Sequence, residues 1–380
     1  MKACKRQRKE GEETTMILPP DIITSIFLQL PAESLIQLKN VCKSFSNLIS
    51  DSNFTYNHLR NSYDHQEQSI VIELSCCSPA IHDYFSVKLL RGKEEVEVKQ
   101  FKTYRKFNDL GLFKNEVLLK ASCDGLVLLQ RKKDHNQLYI SNPVTRRCRK
   151  LPALKGKVHI WNWVLARDGI GYKIVGISSN SRRCSVLKVG KSISSWNEVY
   201  TPYQDSHLLS SQSPTFINKE FHWLMLSHQS IAPDSPYERF IYSINLAGEE
   251  IGFRETKVPY EITCKYDHNS ILEVKEVLCL TDSLTSCNQL DIWSLNDKDK
   301  SNCKWVKSYK ISLEFQISNP TRVYSFRNSR RSVILIHHKN QLLVYDLESK
   351  KCRSIDKFNK KKEIFTRCPF MHIDSLVNWE

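Results

Sequence analysis

The chain has 380 residues, 41% hydrophobic and 26% charged, and its 56 basic against 41 acidic side chains give a formal net charge of +15. That balance excludes a disordered chain, and no apolar run approaches the roughly 18 residues that a membrane-spanning helix needs. Thirteen cysteines, odd in number and without any Cys-x-x-Cys pair, point to buried thiols in a reducing compartment and away from a disulfide framework or an ordinary zinc module.

Residues 1–13 form a basic tail expected to be disordered, and its run Lys5 to Lys9 (KRQRK) is a weak nuclear-import signal. No secretory apolar segment follows, so the Asn53 sequon is expected to stay unmodified and the protein to work in the cytoplasm and/or nucleus. The stretch LPPDIITSIFLQLP, residues 18–31, then reads as a helix. Pro19 and Pro20 suit a helix start, because the first amides have no partner to lose, and Asp21 complements the helix dipole. Ile22, Ile23, Ile26, Phe27 and Leu30 share one face, and Pro31 ends the run. A second helix carries Leu35, Ile36 and Leu38, and a third carries Val41, Cys42, Phe45, Leu48 and Ile49. Three short helices cannot enclose that much apolar surface alone. Either they cap the rest of the chain or another chain completes their core.

These residues carry a resemblance. L-P-x-D-I-I-x-x-I-F-x-x-L-P-x-x-S-L-I, then V-C-K-S-F and L-I-S-D-S-N-F, closely resembles the F-box motif as written in plant proteins, with Phe45 where the family usually has tryptophan. The resemblance implies a module over 14–62 that binds a Skp-type adaptor and, through it, a cullin scaffold. Leu18, Pro19, Ile22, Ile26, Leu30, Pro31, Leu35, Val41, Cys42 and Phe45 are the residues expected to make that contact.

From residue 66 to 380 the pattern is all-β, in short runs rich in branched and aromatic residues such as GLVLL, GYKIVGI, FHWLML and SVILIHH. A strand, polar turn and second strand recur, anchored at Tyr139, Leu187, Tyr242, Trp293 and Tyr345, at steps of 48, 55, 51 and 52 residues. A period near 50 predicts a kelch-like β-propeller of about six blades, with SIVIEL, YFSVKLL and EVEVKQF supplying the first; a two-sheet sandwich or an irregular β domain is the alternative. Both faces of QLLVYDL and RFIYSINL are apolar, as in sheets packed between neighbours. The fold expected is therefore an α+β multidomain chain, a small helical module before an all-β domain.

The segments CDGLVLL, ISNPVTRRCRKLP, SSWNEV and the closing HIDSLV resemble the plant F-box-associated domain, although no Gly-Gly pair of the diagnostic kelch kind occurs. This resemblance implies a non-catalytic, substrate-holding subunit of a Skp-cullin-F-box ubiquitin ligase. Bottom-up, no nucleophile elbow, zincin motif or phosphate loop is present. Cys123-Asp124-Gly125 reads as a turn, as does Gly169-Ile-Gly171, and His337-His338 lies inside an apolar strand without further ligands nearby. No cofactor or metal is expected. The alternative function is a basic propeller that binds nucleic acid or another polyanion, with the helices as a cap. Among the loops 202–214, 227–237 and 296–304, none of diagnostic composition, polar, serine-rich 202–214 and proline-bearing 227–237 are the candidates for holding a protein substrate.

Overall fold

A computed structural model describes residues 18–65, 69–75, 82–89, 96–101, 116–154, 160–169, 171–178, 183–201, 206–208, 214–227, 239–246, 251–259, 261–262, 270–283, 288–296, 304–314, 321–326, 332–338, 341–355 and 365–379. The basic tail over 1–13 lies outside the described residues.

Four helices come first: α1 (Pro20–Leu28), α2 (Ala32–Leu38), α3 (Lys43–Ser50) and α4 (Ser52–His65). Pro19 and Pro31 precede the first two, where a missing N–H costs nothing. The Cys42 sulfur accepts from the Phe45 amide and caps α3. The fourth helix is a correction to the three-helix reading. The Asp51 carboxylate accepts the Phe54 amide at 2.9 Å and starts it. It buries Phe54, His58, Leu59 and Ser62, and two of those four are polar, so the sequence shows no apolar stripe there.

The β domain is a six-bladed propeller. Its chain-order strands are β1 (Ser69–Ser75), β2 (His82–Leu89) and β3 (Val96–Gln100), then β4 (Val117–Cys123), β5 (Leu126–Arg131), β6 (Leu138–Asn142) and β7 (Arg147–Lys150). The third blade holds β8 (Ile160–Asp168), β9 (Gly171–Ser178), β10 (Arg183–Val189) and β11 (Asn197–Tyr200). The fourth holds β12 (Ser206–Leu208), β13 (Thr215–Ile217), β14 (Glu220–Ser227), β15 (Arg239–Asn245) and β16 (Gly252–Lys257). The fifth has β17 (Ile271–Val274), β18 (Val277–Ser283), β19 (Gln289–Asn296) and β20 (Lys304–Ser312). The sixth has β21 (Thr321–Ser325), β22 (Val333–His338), β23 (Gln341–Asp346) and β24 (Cys352–Ser354).

The last strand, β25 (Phe365–His372), does not extend the sixth blade. It pairs antiparallel with β1, placing Ile70 opposite Met371 and Val71 opposite Phe370, and so completes the first blade from the far end of the chain. The Ser122 hydroxyl and His372 Nδ1, 2.9 Å apart, tie β4 to this closing strand. All five repeat anchors fall on the third strand of their blades: Tyr139 on β6, Leu187 on β10, Tyr242 on β15, Trp293 on β19 and Tyr345 on β23.

Alternation within each strand divides its side chains between two neighbouring blades. On β5, Val127 and Leu129 pack toward Val71 and Tyr84 of the first blade, while Leu126 and Leu128 pack toward Leu165 and Ile174 of the third. On β22, Leu335 meets Ile70 and Val87 across the closing seam, while Ile334 and Ile336 meet Leu290 and Ile292 of the fifth blade. Similar clusters join the third blade to the fourth and the fourth to the fifth. This is why the strands read apolar on both sides. Each buried aliphatic contributes about 1.5–3 kcal/mol, and every seam of the ring carries such a cluster.

Candidate functional site

The helical module has two apolar faces. One forms a core in which Phe27, Ala32, Leu35, Ile49 and Phe54 are buried together with Leu376 from the C-terminal segment, and Val144 of the second blade packs against it. The Phe27 and Phe45 rings meet edge-on, 4.8 Å apart at 82°. His58 and Asn61 of α4 donate to the Leu30 and Leu28 carbonyls at 2.8 and 2.7 Å, satisfying acceptors that the end of α1 leaves open. Burial lowers the pKa of His58, against the opposing pull of its hydrogen bond to Leu30.

The second face points outward. Leu18, Ile22 and Ile26 stand four residues apart and are 50%, 46% and 44% exposed, and Val41 is 64% exposed. These four are half of the eight exposed large hydrophobic side chains among the described residues, a concentration that scattered surface leucines do not give. Pro19, Pro31 and Cys42 are also exposed, and Leu30 and Phe45 are half-buried. Leu35 is the exception among the ten residues expected to meet an adaptor. It is fully buried within the module, so its role in this conformation is to hold α2 in place.

The propeller encloses a central cavity of about 500 Å³ lined from every blade, by Ala121, Leu165, Phe216, Glu273, Tyr324 and Met371 among others. Tyr63 of α4 also lines it, beside Asp124, so the module stands at one end of this channel. In an antiparallel blade the first and third connections emerge on one face. In the second blade these are the Asp124–Gly125 and Pro143–Arg146 turns, and both meet the module. The strand ends that lead into 227–237 and 202–214 lie on the opposite face, whereas those leading into 296–304 lie on the module's own face. Most of those three segments lies outside the described residues.

Sequence reasoning missed the residue that joins the two domains. Asp124 is 7% exposed. Its carboxylate accepts from the Tyr63 hydroxyl at 2.7 Å, the Tyr172 hydroxyl at 3.1 Å and Arg167 at 3.4 Å. Its backbone carbonyl accepts from the Ser375 hydroxyl. Burial, reinforced by this carboxylate, raises the Tyr172 phenol far above its ordinary value, so it stays a donor. Asn142 plays a parallel part: its amide donates to the Ser375 and Val377 carbonyls at 3.1 and 2.8 Å, while its oxygen caps the Val144 and Thr145 amides. The motifs Cys-Asp-Gly and Asn-Pro-Val-Thr were visible in the sequence, but their common partner lies some 230–250 residues away.

His337 and His338 are buried, and His338 Nδ1 lies 2.7 Å from the Thr321 hydroxyl, a bond within the sixth blade. Among the described residues no cluster of three His, Cys, Asp or Glu side chains suits a metal, and no helix is long and apolar enough to cross a membrane. Burial pushes the Cys148 and Cys184 thiols up to about 12 and Cys279 up to about 11, far from the thiolate form that reacts.

Comparison with known proteins agrees with this geometry. Residues 16–57 match the F-box domain family and residues 112–374 match the family described as the F-box associated beta propeller domain. The Arabidopsis thaliana F-box protein At5g49610 is 33% identical over 136 residues, covering 36% of this chain and 33% of its own. The F-box protein At3g07870 of the same plant is 23% identical over 378 residues, covering 87% of this chain and 85% of its own. The chain belongs to the plant F-box proteins that carry an F-box-associated β-propeller.

Proposed function

We propose that this chain is the substrate-recognition subunit of a Skp-cullin-F-box ubiquitin ligase, acting in the cytoplasm or nucleus. The carrying observation is the outward stripe of Leu18, Ile22 and Ile26 with Val41, left exposed on a module whose other face is already sealed by α4 and Leu376. A Skp-type adaptor would cover that stripe. The propeller would hold a protein substrate on the face away from the module, where the strands leading to 202–214 and 227–237 end. Catalysis in this reading is proximity: the assembled ligase raises the effective concentration of a substrate lysine at a charged conjugating enzyme. The free cysteines among the described residues fit a reducing compartment, although only Cys184 and Cys279 are buried as the sequence led one to expect and Cys42 and Cys352 are exposed.

The test is capture of a plant Skp-type adaptor by the full chain. Ile22→Asp with Ile26→Asp is expected to abolish capture while leaving the β-rich circular dichroism and the melting of the propeller unchanged. Undiminished capture by that variant would overturn the proposal.

A further inference from the structure

Two basic runs meet beside the exposed stripe. Lys39 follows α2 and Lys43 opens α3, with Val41 and Cys42 between them. Arg146 ends the turn before β7, and Arg147, Arg149 and Lys150 lie on that strand, the outer edge of the second blade. Val144, two residues before Arg146, packs against the module's core, which brings this edge up to the helices. Lys39 is held below its usual range, first by partial burial and then by the nearby Arg147 guanidinium. None of these six cations forms an ion pair with an acidic side chain among the described residues. Among the described residues these like charges thus stand together without an ion-pair partner, and they border the most exposed aliphatic of the module, Val41.

Resting on the adaptor reading above, we propose that the adaptor interface extends beyond the F-box onto the outer edge of the second blade, and that the adaptor presents acidic side chains to Lys39, Arg146 and Arg147. Any chain that covers Val41 comes within reach of Lys39 and Lys43 on either side of it. An apolar centre with a charged rim is the ordinary anatomy of an interface, and the rim acts chiefly on the association rate and its salt dependence. The strip thereby fixes the propeller, and not only the helices, against the rest of the ligase.

The experiment measures association of the full chain with a purified plant Skp-type adaptor at low and high salt, where screening lengths differ severalfold. Lys39→Glu, Arg146→Glu and Arg147→Glu combined are expected to slow association about tenfold at low salt, with the difference vanishing at high salt. Lys304→Glu with Lys310→Glu, on the exposed outer strand of the fifth blade across the ring, makes two of the same charge reversals away from the strip and is expected to change the rate less than about twofold. Equal low-salt rates for the strip variant and wild type, with Ile22→Asp/Ile26→Asp still abolishing binding, would overturn this inference alone. Loss of heparin or duplex DNA binding in the strip variant with unchanged adaptor kinetics would reassign the strip to a polyanion and overturn it too. Wild-type binding by Ile22→Asp/Ile26→Asp, or no complex at all, removes the adaptor reading and this inference together.

Discussion

Tyr63, in the last helix of the F-box, donates its phenolic hydrogen to the buried carboxylate of Asp124 at 2.7 Å, 61 residues later, in the first turn of the second blade. Arg167 and Tyr172 of the third blade share that carboxylate, so one side chain fastens three parts of the chain. Arg167 also stacks over Tyr56 of α4, 4.8 Å from its ring centre. The module is therefore docked on the propeller by specific bonds and not merely tethered to it.

Removing the shared acceptor should cost more than removing one donor. Tyr63→Phe deletes one bond to a charged group, expected to destabilise by about 1.5–3 kcal/mol, while Asp124→Ala takes the acceptor from two hydroxyls and removes the Arg167 ion pair and is expected to cost about 3–5 kcal/mol. Urea unfolding followed by tryptophan fluorescence measures both. The ordering is the test: an Asp124→Ala loss no greater than that of Tyr63→Phe would show that the hub is not shared.

Gly125 should tolerate no side chain. Its φ is +83°, and a Cβ there would lie 2.8 Å from the Ile373 carbonyl oxygen and inside contact distance of the Ser375 hydroxyl. The backbone atom cannot swing aside as a flexible side chain does. Gly125→Ala is expected to lower the melting temperature by several degrees, from a loss of about 2 kcal/mol or more. Gly169, with φ +61° and open space around it, is the control, and its alanine variant is expected to lose only the backbone strain.

His58 gives the F-box a pH dependence of known sign. Burial depresses its folded pKa below the ordinary 6.5, so in the native state it is neutral and donates from Nε2 to the Leu30 carbonyl. As pH falls through 6.5 the unfolded chain takes up a proton before the native one does, and the stability due to this group declines. Above 6.5 it is fully present. His58→Gln keeps a donor for Leu30 without titrating. The stability gap between wild type and this variant is therefore expected to shrink on acidification from about pH 7.5 to 5.5, as read by thermal melts. A gap that stays constant over that range contradicts the assignment.

The repeat was legible because a propeller strand buries both faces, so Tyr139, Leu187, Tyr242, Trp293 and Tyr345 stand out at one position of every blade after the first. The outward stripe was legible too, since Leu18, Ile22 and Ile26 follow helical spacing. What stayed hidden depends on distant partners. Leu35 looks like its exposed neighbours and is buried only because Ile49, Phe54 and Leu376 fold around it. Asp124 looks like turn chemistry until Tyr63, Arg167 and Tyr172 converge on it. Helix α4 hid because His58 and Ser62 occupy core positions that a periodicity search reserves for aliphatics.

The ring closes only when its final strand arrives. Because β25 lies beside β1, and Ser375 and Leu376 just after it reach back to Asp124 and the F-box core, one segment over 365–376 finishes both domains. A chain cut before Phe365 would leave a gapped propeller and a helical core without Leu376. The architecture in this way makes the outward helical face and the closed ring depend on the same late segment.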